Sequence, residues 1–265
     1  MNMTKIIIQG KGTVGQSTEL FLKQYNPELE IVFNDPNKDI LANDDDWKEA
    51  SWVVICVDTS LSEELDPPEN DNKNVDDAIN FALEKGYRKH FVLRSTVGID
   101  CVRMLTDQLG QYLIVCPEYI REATWKEDSI NPGFVVVGGE AAEEFSNLFN
   151  TYTGNVIITD TVEAMIAKLT TNTFLAMKVV FANQIEKLCK AVDASYDVVK
   201  VLLENEGRLG RTHWVVPGPD GLPGYGGKCF PKDVKTLEAA FIRNRIHQDL
   251  IRAISDVNSE LRPNE

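Results

Sequence analysis

Along the first 160 positions, apolar residues fall in short unbroken runs separated by amphipathic stretches. The runs cover residues 5–9, 30–34, 51–57, 90–94, 112–116, 134–137 and 156–158. Most are followed at once by glycine, proline or an acidic residue, the pattern of a strand buried on both faces. Between them, residues 14–24, 75–85, 100–109 and 141–150 carry helical periodicity. Strands alternating with helices predict a parallel sheet covered on both sides, a Rossmann-like doubly wound α/β fold. Residues 58–73 are acidic and contain Pro67 and Pro68, so they read as a surface loop. From Thr161 the pattern changes. Val162, Met165, Ile166, Leu169, Ala176, Val179, Val180, Ile185 and Leu188 keep helical spacing over about nine turns. Further helices are expected over residues 196–204, from about Pro231 to 242, and over 248–258. The chain thus divides near Asp160 into an α/β domain, 1–160, and an all-helical domain with one long central helix, 161–265. A helix that long needs a partner for its apolar face, which predicts a homodimer built on it.

Bulk properties narrow the classes. The 265 residues are 43% hydrophobic and 26% charged, ordinary for a globular chain. A formal charge of −14 argues against a nucleic-acid partner. The absence of an eighteen-residue apolar run argues against a membrane span. The five cysteines, Cys56, Cys101, Cys116, Cys189 and Cys229, are odd in number and form no CxxC, which predicts reduced thiols and a cytoplasmic setting. His90, His213 and His247 lack metal-ligand spacing, and no metal site is expected.

Two stretches carry candidate chemistry. Gly10-Lys-Gly-Thr-Val-Gly15 follows the first strand and opens the first helix. In a dinucleotide site Gly10 makes the tight turn, Gly12 admits the pyrophosphate, and Gly15 lets helix pack on strand. Thr13 and Val14 complete the candidate cofactor loop. Asp35 closes the second strand twenty positions on, where an acidic residue takes the ribose hydroxyls and repels a 2′-phosphate, so NAD is expected over NADP. A plain strand-to-helix turn is the alternative. The exits carrying Gly10, Asp35, Thr59, Thr96 and Glu118 would line one crevice at the carboxyl ends of the strands.

The second stretch is 218–233, with five glycines, three prolines and Cys229 between Lys228 and Phe230. Pro231 suits the first turn of a helix, which puts Cys229 at a helix N-terminus with Lys228 and Lys232 beside it. Both the helix dipole and the lysines favour thiolate. A covalent nucleophile is one reading. A phosphate-cradling loop and a buried, inert cysteine are the others. Lys168 and Asn172 lie four apart and share a helix face; on a generic helix a solvated lysine is the default.

Together the motifs resemble the UDP-glucose/GDP-mannose dehydrogenases. The resemblance is carried by Gly10–Gly15, Ser95-Thr-Val97, Pro117-Glu-Tyr-Ile-Arg-Glu122, Lys168-Leu-Thr-Thr-Asn172 with Asn183, Arg208-Leu-Gly210, and Gly224-Tyr-Gly-Gly-Lys-Cys-Phe-Pro-Lys-Asp233. It implies a four-electron oxidation of a nucleotide sugar with NAD, in which the C6 alcohol passes through a cysteine thiohemiacetal and thioester to a uronic acid. UDP-glucose is the expected substrate and GDP-mannose the alternative. By motif, Cys229 is the nucleophile, Lys168 and Asn172 stabilise the oxyanion, and Asp233 handles water. Thr96 and Glu122 assist near the nicotinamide, with Thr59 on the cofactor. Glu118, Tyr225, Gly226 and Gly227 shape the sugar pocket, and Arg208 reaches the ligand of a neighbouring subunit. Family members carry a third α/β unit beyond the last helix, so the resemblance implies a compact enzyme here, or alternatively an NAD-binding remnant. A single-step hydroxyacid dehydrogenase is a third reading, distinguished by needing no cysteine. The motif Val57-Asp-Thr-Ser60 departs from the family's Val-Pro-Thr-Pro, and Lys228 stands where relatives often have a small residue.

Overall fold

A computed structural model describes residues 4–263. The alternating pattern becomes β1 (Lys5–Gln9), α1 (Thr13–Tyr25), β2 (Glu30–Asn34), α2 (Asp44–Glu49), β3 (Trp52–Ile55), β4 (Leu61–Ser62), β5 (Glu69–Asn70), α3 (Lys73–Glu84), β6 (His90–Leu93), α4 (Ile99–Leu109), β7 (Leu113–Val115), α5 (Trp125–Ile130), β8 (Phe134–Gly138), α6 (Ala142–Ser146) and β9 (Asn155–Thr159). The helices α7 (Thr161–Ala191), α8 (Tyr196–Asn205), α9 (Phe230–Arg243) and α10 (Asp249–Leu261) follow. The chain forms two compact units. One runs up to Thr59 and resumes over Asp71–Lys168; the other takes Ser60–Asn70 and everything from Leu169 onward.

In the first unit seven strands form one sheet in the order β2-β1-β3-β6-β7-β8-β9. The chain goes from β1 to β2 on one side and then crosses back to β3 on the other, so the strand order reverses beside β1 and the carboxyl ends of β1 and β3 flank the topological switch point where ligands bind in such sheets. The sheet departs from an all-parallel one at a single junction, where β7 and β8 pair antiparallel. A parallel return needs a crossover helix packed on the sheet. The short α5 between these strands is committed elsewhere, to α1, through Ser129 Oγ donating to Ser17 Oγ at 2.7 Å and Tyr25 OH donating to the Ile130 carbonyl at 2.6 Å. The core is apolar throughout: Ile6, Ile8, Val54, Val92 and Ile114 of the sheet pack with Phe21, Leu22, Phe145 and Phe149. The Phe21 and Phe149 rings meet edge-on at 4.9 Å. Each such side chain contributes about 1.5–3 kcal/mol by leaving water. Helix α2 escaped the periodicity argument because it is only six residues long. Its signature is a capping box, Asn43 with Asp46 three residues on.

Helix α7 is 31 residues long, and the second unit takes it from Leu169 onward. By length and composition this helix passes for a membrane span, with a mean hydropathy of 1.2 over eighteen residues, although polar residues interrupt every apolar run in it. That window is 56% buried inside the protein. Asn172, Thr173, Lys178 and Asn183 are buried along the helix, so it carries the polar load of a core helix. Phe174, Phe181 and Leu188, seven apart, are exposed. Residues 60–70 are a correction to the expected surface loop. They fold as the antiparallel β4–β5 hairpin and join α9, where the Asn70 amide donates to Thr236 Oγ1 at 3.0 Å and Arg243 pairs with Glu69 at 2.6 Å. Besides its helices, then, the second unit holds one small sheet.

Candidate active site

The cofactor loop sits where β1 ends. Gly10 has φ +93, and a Cβ there would lie 2.5 Å from the Cys56 carbonyl oxygen. A Cβ on Gly15 would lie 2.0 Å from the Gly10 oxygen, so α1 can approach its own strand only without a side chain at that position. Gly12 is different: nothing lies within 4 Å of its would-be Cβ. Gly12 also caps α1 without a side-chain acceptor, which leaves the N-terminal amides of Thr13, Val14 and Gly15 suited to an anion. Asp35 is buried at the end of β2 and accepts from the Lys11 amide at 2.8 Å, with Lys38 at 3.8 Å. The structure therefore brings the glycine loop and the predicted acidic residue together.

Thr59, Thr96 and Glu118 lie in the segments that follow β3, β6 and β7. Thr59 Oγ1 donates to the Thr96 carbonyl at 2.7 Å, and both residues are buried. Glu118 is buried after β7 and accepts from the Ile120 amide at 2.7 Å. Its other oxygen lies 3.5 Å from Lys168 Nζ. Lys168 is only 3% exposed, with its ammonium 5.2 Å above the Tyr119 ring, so the solvated-lysine reading is set aside. Glu122 is exposed at the start of a single 3-10 turn, 122–124, and is not drawn into the Glu118–Lys168 pair.

In the second unit Cys229 caps α9, with Pro231 in the first turn. It is exposed, whereas Cys56, Cys101, Cys116 and Cys189 are buried, so the space-filling reading fails for this sulfur alone. One turn on, the Asp233 amide donates to the Cys229 carbonyl at 3.0 Å. The Asp233 carboxylate is 1% exposed. Asn172 Nδ2 donates to one of its oxygens at 2.5 Å and Lys232 Nζ to the other at 2.6 Å. At the head of a helix such a carboxylate is also favoured by the dipole. Asn172 and Asp233, 61 positions apart, are thus brought into direct contact.

Tyr225 is buried with its ring 6.1 Å from that of Phe230, and burial pushes its phenol up to about 12. Gly227 takes φ +79, and Gly226 beside it is half-buried. Arg208 points outward and pairs with Glu206 at 2.7 Å. Its loop is held from behind by Lys178, whose buried ammonium donates to the Leu209 carbonyl at 2.9 Å and the Gly210 carbonyl at 3.3 Å and lies 4.7 Å over the Trp214 ring. Burial pulls this lysine down from its ordinary range. His213 is held at φ +69 with its ring 5.7 Å from Phe230. Lys178, Asn258 and Arg262 were not predicted. Only their apolar neighbours give a periodic signal, and the loops they hold lie far away in the sequence. Among the described residues no group of three or more His, Cys, Asp or Glu side chains is placed to hold a metal.

Residues 162–260 match the model of the UDP-glucose/GDP-mannose dehydrogenase family, central domain. A UDP-glucose 6-dehydrogenase from Campylobacter jejuni is 29% identical over 217 residues, 79% of this chain and 53% of that protein. Across the first relatives matched, the chain spans between 32% and 53% of their length. A UDP-glucose dehydrogenase from Pyrobaculum islandicum superposes with a TM-score of 0.81 at 20% identity, covering 98% of this chain and 68% of that one. A 3-hydroxyisobutyrate dehydrogenase from Mycobacterium tuberculosis has the same fold, with a TM-score of 0.75 at 17% identity over 99% of this chain and 95% of that one. The match across the helical segment and the name shared by the relatives make residues 162–260 similar to the central domain of the UDP-glucose/GDP-mannose dehydrogenase family, and the solved structures show a fold common to nearly the whole chain.

Proposed function

We propose that this protein oxidises the C6 alcohol of a nucleotide sugar, UDP-glucose, to the uronic acid through a covalent intermediate on Cys229. The observation that carries the reading is the exposed sulfur at the head of α9, one turn before a buried Asp233 held by Asn172 and Lys232. NAD is the family's cofactor, and the open Gly12, the close-packed Gly10 and Gly15 and the buried Asp35 fit it. When bound, it supplies the hydride acceptor for each of the two oxidations. Thr13, Val14, Thr59, Thr96 and Glu122 are the further residues proposed to hold it.

The remaining chemistry belongs to the chain. Lys168 and Asn172 are proposed to stabilise charge developing on the sugar oxygen, the kind of term that dominates many enzymes. Cys229 adds its sulfur to the aldehyde carbon, and the carbonyl oxygen takes a proton to give a thiohemiacetal. Loss of a hydride from carbon and the proton from oxygen leaves a thioester. Water held by Asp233 then adds to the thioester carbon, the C–S bond breaks, and the sulfur regains its proton as the acid leaves. Glu118, Tyr225, Gly226 and Gly227 are assigned to the sugar. Arg208, already outward-facing, is assigned to a neighbouring subunit's ligand in a homodimer on α7. Exposed Phe174, Phe181 and Leu188 support that assembly.

The test is stoichiometry with purified protein, NAD and UDP-glucose. Two NADH per sugar are expected. GDP-mannose turned over in place of UDP-glucose would change the substrate assignment, and no turnover of either would refute the reading. One NADH per molecule of a small hydroxy acid would favour the second reading, a single-step hydroxyacid dehydrogenase. That reading has one specific support, the near-complete mutual coverage with the Mycobacterium tuberculosis structure.

A further inference from the structure

In the glycine-rich segment before Cys229, Tyr225 is the one residue between Gly224 and Gly227 with a side chain, buried against Phe230. Gly224, Gly226 and Gly227 contribute no side chains, and Gly224 and Gly227 take φ of +71 and +79. Its backbone is instead bound by the end of α10. Asn258 treats Tyr225 as a strand partner would: its Oδ1 accepts from the Tyr225 amide at 2.7 Å and its Nδ2 donates to the Tyr225 carbonyl at 2.9 Å. The approach is close enough that a Cβ on Gly224 would lie 2.5 Å from Asn258 Oδ1. One turn later Arg262, with a side chain only 4% exposed, donates from Nε to the Pro223 carbonyl at 2.7 Å and from Nη2 to the Gly224 carbonyl at 3.2 Å. The same nitrogen pairs with Asp220 at 2.5 Å, and the guanidinium holds that carboxyl below its ordinary range. Three consecutive residues, Pro223, Gly224 and Tyr225, are therefore tied by their main chain to two side chains 33 to 39 positions away.

We infer that Asn258 and Arg262 are positioning residues for Cys229, acting through the Pro223–Tyr225 backbone. Docking α10 onto α9 does not require them, because Ile251, Ile254 and Leu261 supply the buried apolar face and Arg252 pairs with Glu238 of α9 at 3.1 Å. What the two polar side chains add is a fixed point four residues before the sulfur, beyond which the flexible glycines have only Gly226, Gly227 and Lys228 to span. A covalent step tolerates displacements of only a fraction of an ångström, and the helix dipole favours a thiolate only while the sulfur stays at the helix end. The inference rests on the proposed role of Cys229.

The experiment uses the full chain with Asn258→Ala, Asn258→Asp and Arg262→Lys. The four other cysteines are buried, so a single iodoacetamide adduct reports Cys229. In Asn258→Ala, hydrogen exchange at the Tyr225 amide is expected to rise about tenfold or more. The pH midpoint of Cys229 alkylation should move upward, and turnover of the sugar should fall with NAD affinity unchanged. Asn258→Asp keeps the acceptor and loses the donor, and should lie between the two. If Asn258→Ala does not fold, Asn258→Asp and Arg262→Lys carry the test. Unchanged alkylation profiles and turnover in every folded variant would overturn the inference. Exchange and alkylation do not depend on sugar oxidation, so an unaltered protein that oxidises no sugar would count against the proposed function and leave the positioning test standing.

Discussion

The cysteines divide by environment. Burial pushes the Cys56 thiol up to about 11 and raises Cys116 as well, although Arg94 Nη1 lies 3.2 Å from the Cys116 sulfur. Burial disfavours the thiolate at both, and among the five cysteines Cys229 alone is exposed. Serine at 229 should still support the first oxidation, which needs no sulfur. It should fail at the second, because an aldehyde carbon releases no hydride until a nucleophile has added, and serine is a poor one at its own pKa. Steady-state production of two NADH per sugar is expected to fall by ~10³-fold or more, with an aldehyde-level species seen by mass spectrometry. Full two-NADH turnover by Cys229→Ser would return the glycine segment to a phosphate loop. Individual residues with a local sequence signal were legible. Glycines at fixed offsets, an acidic residue after a strand and a proline behind a cysteine each follow from backbone sterics within about twenty positions. Lys168 was legible only through the resemblance. Its burial against Glu118 and Tyr119 comes from contacts some fifty positions apart, which no periodicity encodes.

At the scale of elements the strands were easy to read because a run buried on both faces needs no alternation. The hairpin at 60–70 was hard to read for the opposite reason. Its strands are two residues each, and Pro67, Pro68 and a run of acidic residues imitate solvent-exposed chain. Its place is set by α9 rather than by its own composition. Glu69 and Asn70 are buried, and Thr236, wholly buried on α9, accepts from the Asn70 amide. Thr236→Val conserves shape and removes that acceptor. The change should cost about 1–3 kcal/mol, read as a lower denaturant midpoint with an unchanged slope. A cost below ~0.5 kcal/mol would mean that the Glu69–Arg243 ion pair and the packing suffice to hold the hairpin.

For the molecule as a whole, the α7 stripe of Phe174, Phe181 and Leu188 is the feature that the proposed assembly turns on. Sedimentation of the unaltered protein at micromolar concentration is expected to give a dimer, and Phe181→Glu a monomer of unchanged helicity. A monomeric unaltered protein would remove the shared role of Arg208. The division of the chain bears on a different question, the order in which the molecule can be completed. It passes between its two units three times, after Thr59, Asn70 and Lys168, so neither unit is one continuous stretch. Asn70 and the Thr236 that receives it are 166 positions apart. At ribosomal rates of roughly 5–20 residues per second, the hairpin waits roughly 10–30 s for its helix to be made. During that interval the hairpin lacks its α9 partner, while the remaining strands of the first unit are being made. A nascent chain stalled before residue 230 should therefore be cut by protease between residues 60 and 70, and one stalled after α10 should resist.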